Sequence, residues 1–334
     1  MNTKVFRQIY HFLFAVFLSV CIFQTSASVQ AAEPLMTVTA LDYGSDRVEG
    51  GDIVLVTSGG KHLLMDTGNY DDTNKLIRYL KSHRIRKLSL YLSHWHEDHF
   101  YYLWYIMDHP YFTVERLYLP AISPLKKCTA KKYRNRSWYE SAVRCRKGIP
   151  SSGLYGAAEI CKKAKKEKIP VTYLKKGSSF KIGSAAAEVL WSSGASPFSS
   201  GFWDYINDRS LVTKITAGDM SYLTAGDISR KTLQKMIKSG VDLRADLYKL
   251  SHHGKTSDTA PILRKIQPVC AFYCDSTEKK GNTRLSKNRR KIAAETQLYS
   301  VRYNGNITFR LYGKHSARSV RVKTQRKKAI SSTG

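Results

Sequence analysis

The chain has 334 residues, 42% of them apolar, which is enough for one large α/β core or two small ones and excludes a disordered polar chain. Charge is the compositional outlier: 55 Lys and Arg stand against 26 Asp and Glu, a formal +29. That excess points to nucleic acid, teichoic acid or an anionic membrane surface as its neighbour, the alternative being a basic proteome or charge that serves solubility.

The first 32 residues read as a secretory leader. Lys4 and Arg7 precede an apolar run over 12–23, and small residues end at Ala31-Ala32, where cleavage is expected. The apolar run is shorter than the roughly 18 residues a membrane span needs, so export without a lasting span is expected, to the medium or the cell envelope. Losing Lys4 and Arg7 leaves 53 basic and 26 acidic residues, or +27. The basic residues fall in blocks at 126–132, 144–147, 162–168, 284–291 and 318–328. Cys128, Cys145, Cys161, Cys270 and Cys274 remain, an odd number without zinc-finger spacing, and buried thiols are the expectation.

After the leader, 36–41 and 52–56 are apolar, β-branched runs, and 61–65 follows the Gly59-Gly60 turn, predicting a hairpin that ends at Asp66-Thr67-Gly68. Leu76, Ile77 and Leu80 share one face of a predicted helix over 72–82. Residues 88–92 read as a buried strand that delivers Ser93 and His94 to a loop, where ligands are rigidly held yet exposed to substrate. Residues 120–156, rich in Lys, Arg, Ser and Tyr, read as an insertion at the mouth of the site, closed by a basic helix over 157–168. Strands resume at 171–174, 187–191, 210–216 and 221–224, and a helix over 231–239 leads to a strand over 246–250 ending at Ser251-His252-His253-Gly254. Strands over 269–273 and 307–311 complete a second half. Two β-rich halves, each followed by helices, predict an α/β fold, a four-layer αββα sandwich over 33–316, with 317–334 as a mobile basic tail.

The chemistry concentrates in His94-Trp95-His96-Glu97-Asp98-His99. His94 and His96 alternate by two on an extended segment, so both imidazoles can chelate one ion, while Asp98 and His99 at the next turn can reach a second. Four potential ligands in six residues, mixing imidazole and carboxylate, suit zinc or a similar divalent ion.

This pattern resembles the metallo-β-lactamase superfamily, whose hallmark is H-x-H-x-D-H after a buried strand. Asp42-Tyr43-Gly44, Gly51-Asp52-Ile53-Val54-Leu55-Val56 and Met65-Asp66-Thr67-Gly68 look like that family's opening strands. Thr224-Ala225-Gly226-Asp227 looks like the strand end that supplies its bridging Asp, and Lys249-Leu250-Ser251-His252-His253-Gly254 like its last histidine motif. The histidine pair and Asn207-Asp208-Arg209-Ser210 further resemble the ComEC/Rec2 competence proteins and the bacterial phosphorylcholine esterases, and both relatives point to phosphodiesters. The resemblance implies two divalent ions, zinc or alternatively manganese. His94 and His96 would hold the first; Asp98, His99 and His252 the second; Asp227 would bridge them. A third ligand of the first ion would be Asp208 or its neighbour Asn207, with Asp208 preferred. His253 would contact a phosphoryl oxygen or protonate the leaving group, Asp98 would share in catalysis, Lys255 would bind substrate, and Asp66 would orient a ligating imidazole. Two such ions about 3.5 to 4 Å apart lower the pKa of a shared water and clamp the attacking and leaving oxygens.

Three functions follow. The first is a phosphodiesterase or nuclease on an anionic polymer such as extracellular DNA, favoured by the charge and by the aromatic-basic stretch 133–139, which is suited to stacking bases and binding phosphate. The second is a phosphorylcholine or teichoic-acid esterase, with Trp138, Trp191 and Trp203 as candidates to cage a quaternary ammonium. The third is a non-catalytic cell-envelope binding module with structural metals.

Overall fold

The computed structural model describes residues 32–42, 51–69, 73–123, 135, 153–193, 204–274, 287–313 and 319–326, and the fold lies in the compact unit Pro34–Gly334. Fifteen strands run through the described residues. The first eight are β1 Met36–Ala40, β2 Val54–Ser58, β3 Lys61–Met65, β4 Lys87–Tyr91, β5 Thr113–Pro120, β6 Val171–Leu174, β7 Ser179–Ile182 and β8 Ala185–Trp191. They continue as β9 Val212–Ala217, β10 Met220–Thr224, β11 Leu247–Lys249, β12 Cys270–Tyr273, β13 Gln297–Ser300, β14 Ile307–Leu311 and β15 Val320–Thr324. The helices are α1 Thr73–Ser82, α2 Glu97–Phe100, α3 Leu103–Asp108, α4 Gly153–Lys166, α5 Arg230–Lys238, α6 Ala260–Ile266, α7 Lys287–Ala293 and α8 Val301–Asn304.

The strands form two sheets, ordered β15-β14-β1-β2-β3-β4-β5-β6 and β13-β12-β11-β10-β9-β8-β7. Alternation along each strand explains why the sequence reads as continuous apolar runs. In β2, Val54 and Val56 point between the sheets, while Leu55 packs under the first helical layer with Leu76 and Leu80 of α1 and Ile160 of α4. In β12, Cys270 and Phe272 point between the sheets, while Ala271 and Tyr273 pack with Leu233 of α5, Ile262 of α6 and Ile292 of α7. The central strands are therefore covered on both faces, whereas outer strands such as β7, β8 and β15 alternate buried and exposed positions. The result is the four-layer αββα sandwich that the sequence predicts.

Several elements differ from the sequence reading. Residues 307–311 do not complete the second half: β14 pairs antiparallel with β1 in the first sheet, in the register Met36↔Leu311. The predicted basic tail contains β15, which pairs antiparallel with β14 and alternates buried Val320 with exposed Arg321. Its Val-Arg-Val-Lys-Thr pattern is a two-faced edge strand that the charge count concealed. The predicted leader and most of the predicted insertion lie outside the described residues. Among the described residues, no helix is long and apolar enough to cross a membrane.

The parallel pairs position the site. β3 and β4 run parallel in one sheet, and β10 and β11 in the other, so their C-terminal ends each emerge at one edge. Asp66 follows β3, Ser93 and His94 follow β4, Asp227 follows β10, and Ser251 to His253 follow β11. The two edges are tied together by the Leu211 N–H donating to the Ser93 carbonyl at 2.9 Å.

Candidate metal centre

Asp66 organises the histidine motif. Its Oδ1 accepts the Ser93 N–H at 2.7 Å, and its Oδ2 accepts the Ser93 hydroxyl at 2.6 Å and His99 Nδ1 at 2.8 Å. The Ser93 hydroxyl has spent its one proton on Asp66, so it accepts from His94 Nδ1 at 3.0 Å. Both Nδ1 atoms are thereby fixed as donors, which leaves the Nε2 atom of each ring facing the cluster. His94 Nε2 lies 3.1 Å from His96 Nδ1, the convergence a chelating pair requires. His99 Nε2 lies 3.4 Å from Asp227 Oδ2 and 3.9 Å from Asp98 Oδ2.

His253 completes the cluster from the other sheet. Its Nδ1 faces Asp52 Oδ1 at 3.2 Å and the Cys274 carbonyl at 3.1 Å, and its Nε2 lies 3.1 Å from both Asp98 Oδ2 and Asp227 Oδ2. Donor atoms of Asp52, His99, Asp227 and His253, all buried, lie within 4.8 Å of one another. Asp52 itself is ion-paired with buried Lys249.

Electrostatics follow from the crowding. Burial pushes His94 well below the ordinary histidine range and His96 down to about 4, so both are neutral ligands in waiting. Burial acts the same way on His99 and His253, but the surrounding carboxylates, Asp227 first, hold both well above the ordinary range. Burial alone would raise Asp52, Asp98 and Asp227; Lys249 beside Asp52, His99 beside Asp98 and His253 beside Asp227 keep all three ionised instead. Protons on His99 and His253 thus occupy the electrostatic place of cations. The donor set fits divalent metal ions on a further count: Asp227 Oδ1 is buried without a hydrogen-bond partner among the described residues, a costly state that coordination would relieve.

A strained turn aims the last histidine. His252 and His253 both adopt left-handed backbone, at φ 49° and 53°, where residues with a Cβ are rare. Their surroundings enforce it. The Ser251 N–H donates to Asp258 Oδ2 at 2.7 Å, the His252 N–H to the Gly226 carbonyl at 3.0 Å, and buried Arg289 donates through Nε to the Gly254 carbonyl at 3.0 Å. Close approach matters as much at Gly51, where a Cβ would sit 1.9 Å from the Asp98 carbonyl oxygen.

Several expectations from sequence meet this geometry. His94, His96, Asp98, His99 and Asp227 converge, and Asp66 orients His99 as expected. Asp208 does not join them: its Oδ1 accepts the Ser229 N–H and the Thr232 hydroxyl, each at 2.8 Å, securing the start of α5. Asn207 Oδ1, beside it, is buried without a partner among the described residues. The histidine pair is exchanged relative to the expectation, with buried His253 in the cluster and His252, 30% exposed, 4.0 Å from Asp227. Lys255 is half-buried directly after this turn. Asp52, Lys249 and Arg289 were not singled out from sequence; an Asp before an apolar strand and a Lys inside one were the available signals, since a charge inside a buried strand requires a partner.

A family model described as the metallo-beta-lactamase superfamily matches residues 46–141. Among known proteins, it is 25% identical over 158 residues to ComE operon protein 3 of Bacillus subtilis (strain 168). That match covers 46% of this chain and 19% of the relative, so the chain spans about a fifth of the relative's length. The metallo-beta-lactamase fold protein YhfI of Bacillus subtilis is similar at 14% identity and a TM-score of 0.48, covering 80% of this chain and 96% of that one. Igni18, a metallo hydrolase from Ignicoccus hospitalis KIN4/I, gives 12% identity and 0.47 over 82% and 98%.

Two outcomes test this electrostatic arrangement. Removing the Lys249 charge leaves buried Asp52 with only the His253 and His99 imidazoles beside it, so Lys249→Met is expected to cost about 3 to 5 kcal/mol in urea unfolding of the metal-free protein; a loss near zero would show that the pair is not essential to the fold. The second concerns Asp258, whose carboxyl burial pushes up to about 6 while it accepts from Tyr248 and Ser251. Its folded pKa lies above the unfolded value of about 3.9, so the fold favours the protonated form. Its contribution is complete below about pH 4, is lost as pH rises towards 6, and is flat above that. Measured against Asp258→Asn, the wild type should lose up to about 3 kcal/mol between pH 4 and 7.

Proposed function

We propose that this chain is a secreted metal-dependent hydrolase that cleaves phosphodiesters in an anionic polymer such as extracellular DNA. The observation that carries the reading is the convergence of neutral His94 and His96 with a second set, Asp98, His99 and His253, and with the Asp227 carboxylate. His94 would ligate through Nε2 and His96 through Nδ1; His99 and His253 would ligate through Nε2. Bound divalent ions, zinc or manganese, supply Lewis-acid activation of water and neutralise charge on phosphoryl oxygens.

The chain's own residues supply the rest. Asp52 and the Cys274 carbonyl hold His253 with Nε2 towards the carboxylates, and Lys249 keeps Asp52 ionised. Asp98 is 23% exposed while Asp227 is buried, so Asp98 combines ligation with a face towards solvent from which it orients water. His252 takes the substrate role first given to His253. Burial holds its imidazole below the ordinary range despite Asp227, with His253 and Lys255 acting in the same direction, and its partial exposure lets it donate a hydrogen bond to a phosphoryl oxygen. Lys255 stands one turn away as a cation for the same group.

Secretion is inferred from the leader at 1–32, and a polymeric substrate from the +27 that remains without it. The basic blocks at 126–132 and 144–147 lie outside the described residues. Within the block at 162–168, Lys163 is buried and paired with Asp108 and Glu167, so it is not part of the binding charge. The phosphorylcholine reading draws no support from Trp191, whose ring is faced by Lys176 and Lys235 at 5.5 and 5.6 Å. Trp138 and Trp203 lie outside the described residues.

His253→Ala is expected to lose metal, and His252→Ala to retain it with turnover lowered about 10²-fold or more, as for loss of a general acid or base. Metal analysis beside hydrolysis of bis-p-nitrophenyl phosphate separates the two, and the opposite pattern would restore the sequence-based assignment. For the polymer, the observed DNA-binding constant of the metal-free protein should fall with salt at a log-log slope of about −0.7 to −0.9 per phosphate contacted. A flat response, or absent hydrolysis with zinc or manganese added, counts against the reading.

A further inference from the structure

A cavity of about 190 Å³ opens against His94 and Trp95 of the metal motif. It sits where β5, β6 and β8 end, with Leu174, Ile206 and Leu211 among its apolar walls. Sites that enclose a whole ligand run to about 300 to 1,000 Å³, so this one holds a single moiety of something larger. Its polar lining is distinctive. Lys175 and Arg209 contribute positive charge, and no carboxylate is among its described lining residues. The Arg209 guanidinium lies 4.3 Å over the Tyr205 ring, which fixes its plane. Arg209 Nε and Trp95 Nε1 are both buried donors with no partner among the described residues. An anionic group seated in the cavity would meet the charges of Lys175 and Arg209, which a quaternary ammonium would be repelled by.

Resting on the phosphodiesterase reading, we propose that this cavity is a subsite for the sugar portion next to the scissile phosphodiester, with Arg209 and Lys175 holding that portion's own second phosphate. The substrate class is then a phosphodiester flanked by another phosphate, as in a nucleic acid chain, in preference to an isolated ester. Adjacency to His94 gives the reason: a group seated there extends directly from a phosphate held at the metals.

Two chromogenic esters isolate the effect: the p-nitrophenyl ester of thymidine 5′-phosphate, and the same compound carrying a 3′-phosphate. With metal-loaded protein, kcat/KM should favour the second, and Arg209→Ala should cut that preference about tenfold, the scale of one charge-assisted hydrogen bond. Arg209→Lys should restore part of it. Calorimetric binding of thymidine 3′,5′-bisphosphate to metal-free protein should weaken in Arg209→Ala and in the exposed-site variant Lys175→Ala. An unchanged preference and unchanged bisphosphate binding in these variants overturn the subsite. Because the binding arm needs no turnover, a protein that cleaves neither ester would refute the phosphodiesterase reading while the calorimetry still decides the cavity's role.

Discussion

Four carboxylates, Asp52, Asp66, Asp98 and Asp227, crowd into one largely buried volume where the two sheets meet. Like charges at such range cannot all remain ionised without compensation. Lys249, His99 and His253 provide it in the metal-free protein, and divalent ions take the place of the imidazole protons when they bind. Much of the surrounding architecture serves this balance. The layered sheets exclude water from three of the carboxylates, and the Asp52 to Lys249 ion pair joins the start of β2 to the end of β11.

Holding that arrangement requires backbone that few residues adopt. Asp66, His252 and His253 all sit at positive φ, and each contributes a group to the cluster or its rim. Strain of this kind persists where neighbours over-determine it. At the His252 turn those neighbours are Arg289, Asp258, Ser251 and the Gly226 carbonyl, drawn from four segments. Arg289 belongs to a basic block whose charge suggests a solvated surface, yet it is buried with its guanidinium 4.4 Å over Tyr273. Together with Lys163, it shows that part of the basic excess works inside the fold. The excess that remains at the surface, with Lys175 and Arg209 beside His94, is consistent with a substrate that carries more than one phosphate.

The sequence by itself determined the four layers and most of the residues that converge at the site. Period-two burial in apolar runs is a local property, and four ligands within six residues of an extended segment need no distant partner to be recognised. Tertiary structure alone decided the rest. β15 was hidden by its charge, because an edge strand buries one face only. That Asp208 Oδ1 is engaged at the start of α5 was visible only once α5 was seen to pack beside it. Which of His252 and His253 enters the cluster depends on two consecutive left-handed residues, and those are set by Arg289, Asp258 and Gly226. Asp52 and Lys249 are nearly two hundred residues apart in the chain. Their pairing is an energy of burial, which no local pattern carries.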